Sequence, residues 1–383
     1  MNQNIKLKIT DITWNGGNQV KTATPVVFSV TLANDGTEDM VAAKQQTVVQ
    51  LHIDRAEPLW FRYDGGLKVG ERKTFDFPAW EAVAGNHAIT ATINFAMPSP
   101  TTWESGVVFV KYLRVADKAL EVPSFAAAAV MNTLAFNDDF TTLDTIDVNA
   151  TGEVGYHWYV TRPYGMTDVT PDDYSLTENG IDLHVNNSPH HYELAMVDSR
   201  TGAGWGYKHG YVECRFKVKP DAFVEGTKGG PAIWAMPAQR YWCFIDHWVE
   251  VDHMEYWGNY FEGGERIYSV TLHEQSCEYG NGHDAKYWAK NVKPCYVGLG
   301  DDEWHTMGWL WEEGSFTAYI DGKELFTQRW SKDGSVVEPD INLVRGERLE
   351  APYAVLDKYS LPVTISGDAK WPMEVDYFRI WQK

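Results

Sequence analysis

The chain is short of positive charge, of cysteine, of long apolar runs and of helical periodicity. Its 33 Lys and Arg stand against 53 Asp and Glu, a formal net charge of −20. A nucleic-acid interface needs a basic footprint, so this balance argues against nucleic-acid binding as the main function. No apolar stretch reaches the roughly 18 residues of a membrane span. The longest, around Phe125 to Phe136, is interrupted by Ser, Asn and Thr, and no membrane insertion is expected. Met1 opens no signal peptide, because Lys6 and Lys8 lead into polar–apolar alternation rather than an apolar core. Four cysteines, Cys214, Cys243, Cys277 and Cys295, allow three pairings. Cys277 and Cys295 bracket a loop-like stretch and form the expected bridge, the alternative being four free buried thiols.

Aromatic residues, by contrast, are abundant: Trp 17, Tyr 20 and Phe 16. Some build a core, and the Trp content also suits a surface that stacks on flat ligands such as sugar rings. Residues 1–116 read as short strands between turns, among them Val26–Leu32, Val48–Ile53 and His87–Phe95. Their spacing is that of an all-β sandwich. Residues 117–134 are Ala-rich and turn-free and read as a linker. From residue 135 to 383 the strand pattern resumes with longer, aromatic-rich segments. No repeat of 20–50 residues is visible, so this part reads as one large β-sandwich.

The chemistry concentrates in His247–Gly258, HWVEVDHMEYWG, where Glu250, Asp252 and Glu255 form E-x-D-x-x-E. Asp and Glu supply 53 of 383 residues, so chance gives such a triplet about once in a chain of this size. Context is what raises its meaning. On a strand, residues two apart share a face. Trp248, Glu250 and Asp252 therefore point one way, and Val249 and Val251 point into the core. Strict alternation would bury Glu255. One extra residue at His253-Met254, a β-bulge, returns Glu255 and Trp257 to the face of Glu250 and turns Tyr256 inward. Two carboxylates flanking a glycosidic bond are the equipment of glycosidases, and a retaining pair stands about 5–5.5 Å apart. Four pleats span roughly 13 Å, so the two Glu side chains must lean together across Asp252. Asp252 would hydrogen-bond one of them and keep their pKa values apart. The bland alternatives are a solvated acidic strand and a metal site using His247, His253, His190 or His191. His247 falls on the face opposite Glu250, which argues against a metal cluster.

At this strand the sequence resembles glycoside hydrolase family 16. The resemblance covers about residues 136–383 through ordered segments: Phe136–Phe140, Gly210–Lys217, Pro231–Pro237, Thr271–His273, Trp304–Trp309 with Tyr319–Gly322, and Val375–Ile380. It implies an all-β architecture with a β-jelly-roll (concanavalin A-like) sandwich and an open cleft. It further implies a retaining endo mechanism on β-glucan or β-galactan, with no cofactor needed for catalysis. Carried over by position, Glu250 is the nucleophile, Asp252 its helper and Glu255 the acid/base. Trp234 and His273 are cleft residues near the cleavage point, against core packing and a loop histidine as alternatives. Trp205, Trp242, Trp248 and Trp257 are candidates for sugar stacking. A structural calcium is implied through Asp376, with Gly180 and the Asp138 segment, although a surface Asp would read the same.

The N-terminal part resembles a CARDB-like, immunoglobulin-type domain in VVFSVTLANDGTED, LKVGERKTFDF and AGNHAITATINF. It is expected to be a spacer, the alternative being a contact to polymer or cell surface with Trp103 as its sugar contact. The implied protein is a secreted or cell-surface monomer acting on polysaccharide, its leader outside this sequence. Val249 stands where the family usually has Gly, and Ala238–Trp248 is unusually aromatic and basic. Lys208, His209, Arg240, His247 and His253 could contact an anionic galactan or be plain surface charge. Glucan, β-1,3 or mixed β-1,3/1,4, is the expected substrate. A galactan and a silent lectin on the same fold are the alternatives.

Overall fold

A computed structural model describes residues 5–42, 46–96, 109–160, 174–183, 192–218, 230–238, 247–257, 267–279, 285–291, 295–297, 302–331, 353–367 and 372–383. Trp103 and Trp242 lie outside them, as do His190, His191, Arg240 and Cys243. The chain is all-β, as its alternation requires, and falls into two compact units. Among the described residues no helix is long and apolar enough to cross a membrane.

The first unit comprises Met1–Glu121 together with Ala135–Asn137 and Val154–Tyr156. It has a three-stranded sheet (Leu7–Trp14, Phe28–Asn34, Arg72–Asp76) and a five-stranded one ordered Gln19–Val20, Phe109–Val115, Gly85–Ala96, Gln46–Ile53, Leu59–Tyr63. Alternate residues of each strand (Phe28, Val30, Leu32; Val49, Leu51; Ile89, Ala91) fill one core and are wholly buried. Asn34 ends its strand inside that core. Its Nδ2 donates to the carbonyls of Glu38 and Leu67, and its Oδ1 accepts from the Lys6 and Gly36 N–H groups. One side chain thereby satisfies a buried turn.

The second unit holds two larger sheets. One runs Tyr174–Thr177, Gly180–Leu183, Met373–Gln382, Gly210–Val218, His305–Glu312, Ser315–Ile320, Lys323–Arg329. The other runs Ile146–Asp147, Trp158–Tyr159, Tyr192–Ala195, Val363–Gly367, Ala232–Ala235, His247–Trp257, Ile267–Tyr279, Ala285–Asn291. Their inner faces are apolar, with Val212, Phe216, Trp309, Phe316, Val249, Val251, Tyr256, Leu272 and Ile365 buried. Cys214 is also there as a free thiol, and burial pushes its pKa well up.

Two expectations are corrected. Residues 117–134 are not a plain linker. Val122–Leu134 belongs to the second unit, and Ser124–Ala128 is helical. Phe125 stacks on Tyr319 at 4.1 Å, and Ala126 and Met131 are buried. The Ala-rich composition is that of a short packed helix. The Cys277–Cys295 bridge fails on register. Cys277 stands opposite Tyr287, whereas Cys295 pairs with Val270 on the same strand as Cys277. Seven residues of strand separate them, about 23 Å, against the roughly 4.4–6.8 Å between bridged Cα atoms. Non-reducing peptide mapping of native protein is expected to find no Cys277–Cys295 peptide.

The segment leading into Val363–Gly367 is pinned by a carboxylate. Asp357, on the 3-10 turn Tyr353–Lys358, accepts from His209 Nε2 (3.1 Å), Trp311 Nε1 (2.9 Å), Trp330 Nε1 (2.7 Å) and the Gly314 N–H (3.0 Å). Burial opposes its ionisation, but the four donors outweigh it and hold the pKa below the usual value. A depressed carboxylate adds stability above its unfolded pKa, about 3.9, and that stability is lost as pH falls through the folded value. Asp357→Asn is expected to lose about 2–3 kcal/mol at pH 7 in urea denaturation. The gap to the parent protein should close below about pH 4.

Candidate active site

The acidic strand His247–Trp257 is central in its sheet, with Ala232–Ala235 on one side and Ile267–Tyr279 on the other. On the second side Asp252 pairs with Thr271 and Glu255 with Ser269. On the first, Met254 pairs with Ile233 and Asp252 with Trp234. His253 is therefore an extra residue, a β-bulge at the expected place. It sends His253 and Met254 both into the core, where they are buried. Glu255 returns outward with Glu250, each half-buried, and Asp252 between them is 5% exposed. Tyr256 turns inward as expected.

Directly opposite residues in an antiparallel ladder share a face, so the outer surface is built in rows. The first row reads Glu193, Ser366, Ala232, Glu255, Ser269. The second reads Thr364, Trp234, Asp252, Thr271, and the third sets Glu250 opposite His273. Ser269 Oγ lies 3.4 Å from Glu255 Oε2. Trp234 Nε1 donates to Ser366 Oγ (2.9 Å), and that hydroxyl donates to Glu193 Oε1 (3.3 Å). Three adjacent strands are thus joined by one polar relay ending at the indole beside Asp252.

The backbone register brings His273 to Glu250 and Trp234 to Asp252. Trp205 is half-buried beyond the end of Tyr192–Ala195, and Trp257 ends the acidic strand. Trp248 is corrected: it is fully buried in a small cluster with Trp234 and Met236. It shares the outward face by alternation, yet two neighbouring side chains cover it, so it backs the surface instead of offering a ring to sugar. Glu193, Ser366 and Ser269 were missed, because each is a single polar residue in a short strand with no spacing signature.

Two of the proposed anion contacts are also corrected. His253 is in the core, and His209 is engaged with Asp357. Two of the implied calcium donors, both carboxylates, are engaged by protein groups. Asp376 is ion-paired with Arg215. Asp138 is buried, and its two oxygens accept from the Phe140 N–H and Trp158 Nε1. Gly180 has φ +131°, and a Cβ there would collide with the Val375 carbonyl oxygen, so strand packing explains that glycine. Among the described residues no three His, Cys, Asp or Glu side chains cluster as metal ligands.

The surface so defined is that of an all-β sandwich carrying three carboxylates on a bulged central strand. No family model matches the chain, and no curated protein does. Solved structures similar to it include SCLam, a non-specific endo-β-1,3(4)-glucanase from family GH16, at 16% identity, covering 70% of this chain and 94% of that one, with TM-score 0.38. The laminarinase catalytic domain from Thermotoga maritima MSB8 is similar at 15% identity, 66% and 98% coverage and TM-score 0.39. The κ-carrageenase from Pseudoalteromonas carrageenovora is similar at 14%, 64% and 92%, with TM-score 0.36. Likeness at this level leaves activity to be read from the side chains themselves.

Ser366→Ala would remove the hydroxyl that accepts from the Trp234 indole N–H and donates to Glu193. It is expected to lower stability by about 1–2 kcal/mol, read in thermal or urea unfolding. Ser366→Thr, which keeps the hydroxyl, should recover most of the loss.

Proposed function

We propose that this chain is a retaining endo-glycoside hydrolase of β-linked polysaccharide. The observation that carries the reading is the bulge at His253, which puts Glu250 and Glu255 on one outward face with Asp252 between them. In the first step the Glu250 carboxylate attacks the anomeric carbon, the glycosidic C–O bond breaks, and Glu255 gives its proton to the leaving oxygen. In the second, water attacks the same carbon, Glu255 takes the water proton, and the bond to Glu250 breaks. Asp252 serves as Glu250's neighbour, tuning the charge between the two glutamates. Trp234, held by Ser366, and His273 would border the sugar at the cleavage point.

A neutral β-1,3 or mixed β-1,3/1,4 glucan is the favoured substrate. The net charge of −20 opposes a polyanion, and His209 and His253 are both committed elsewhere. Such a polymer is met outside the cell, and the N-terminal unit is read as a spacer or polymer contact.

New reducing ends should form from laminarin or lichenan, with agarose, carrageenan and galactan assayed alongside. Glu255→Ala is expected to lose about 10²–10⁴-fold on polymer and far less on an aryl glycoside whose leaving group needs no proton. With azide it should yield a β-configured glycosyl azide. Glu250→Ala should be inactive on both substrates and give the α-configured azide. Swapped stereochemistry would reverse the two roles, and full activity in Glu250→Ala would end the reading.

A further inference from the structure

The inserted residue of the bulge is a histidine with no polar partner. His253 is 1% exposed, and neither ring nitrogen has a hydrogen bond. Its ring lies flat on Trp309 of the opposing sheet, centroids 3.5 Å apart and planes within 13°. Phe316 is nearly parallel to it at 6.1 Å. Trp309 is itself oriented, because its Nε1 donates to the hydroxyl of buried Tyr207 at 2.8 Å. Burial pushes the imidazole pKa well below its ordinary value, so the ring is neutral.

A bulge is where alternation fails, and moving it by one residue reverses a side chain. Shifted by one residue toward the C-terminus it would turn Met254 outward, and by two it would turn Glu255 into the core. Shifted by one toward the N-terminus it would turn His253 outward, and by two it would turn Asp252 inward. Burying two bare ring nitrogens is unfavourable, and the gain in exchange is a flat ring that fits face to face on an indole. We propose that His253 is a positioning residue, whose stack on Trp309 fixes which residue of the acidic strand is inserted and so keeps Asp252 and Glu255 outward together. This rests on the glycosidase reading only for its kinetic consequence.

The test compares His253→Ala, which removes the stack, with His253→Phe, which keeps a flat ring and removes the nitrogens. On polymer, folded His253→Ala should lose about threefold to tenfold in kcat with KM little changed. On an activated aryl glycoside it should lose less, because a slipped bulge withdraws the proton donor. His253→Phe should restore kcat to within about twofold. Backbone amide exchange of the Glu250–Trp257 peptide gives a readout independent of activity: faster by about the same factor in Ala, and near the parent rate in Phe. If Ala does not fold, Trp309→Leu against Trp309→Phe makes the same comparison from the other ring. Parent kcat and exchange in the stack-free variant would overturn the proposal, as would a Phe variant as impaired as Ala. A parent protein inactive on every polysaccharide would sink the glycosidase reading, while exchange would still decide the anchor.

Discussion

Period-two alternation, broken once, is the constraint on which this candidate site depends. A β-strand alone cannot place residues 250, 252 and 255 on one face, because five is odd. Inserting His253 makes the count even and leaves Val249, Val251 and Tyr256 in the core. The same insertion directs two consecutive residues, His253 and Met254, inward, and both find buried space. Function and packing therefore bear on the same residue. A change that suits the core but not the bulge would alter the outward carboxylates without touching them.

The outer face shows how polar groups are tolerated there. Glu193 is buried and Glu255 half-buried, and polar groups placed so without partners would be costly. Hydroxyls supply the company: Ser366 donates to Glu193, and Ser269 lies by Glu255. Trp234 closes the relay with its indole N–H. The strand that carries Ser366, Val363–Gly367, follows directly from the turn held by Asp357. A clamp on a turn that packs near the acidic strand thus helps fix the position of a hydroxyl within two strands of the triplet.

What the sequence made legible was local and periodic. The E-x-D-x-x-E spacing, the inward valines and the need for one extra residue could all be read from alternation alone. What it hid depended on distant partners. Trp248 lies on the outward face by parity, but its burial comes from Trp234 and Met236, across a strand pair. Cys277 and Cys295 look close in sequence, and only the register of three strands sets them far apart. Asp376 reads as a free acidic group until Arg215 is brought beside it by the ladder between Gly210–Val218 and Met373–Gln382. The Ala-rich segment reads as linker because its anchor, Phe125, needs Tyr319 to be recognised. Each miss is a tertiary contact overriding a local signal.

The acidic strand's central place in its sheet has a further physical consequence. An edge strand would expose unpaired backbone groups and could flex about a bulge. Here the flanking strands take up hydrogen bonds on both sides, and the ladder resumes immediately past the insertion on each. The bulge is thereby confined between two registers that would both have to change for it to move. The outward places of Asp252 and Glu255 therefore rest on both flanking ladders, and a change of register in either neighbouring strand would reach them through the backbone without altering the carboxylates themselves.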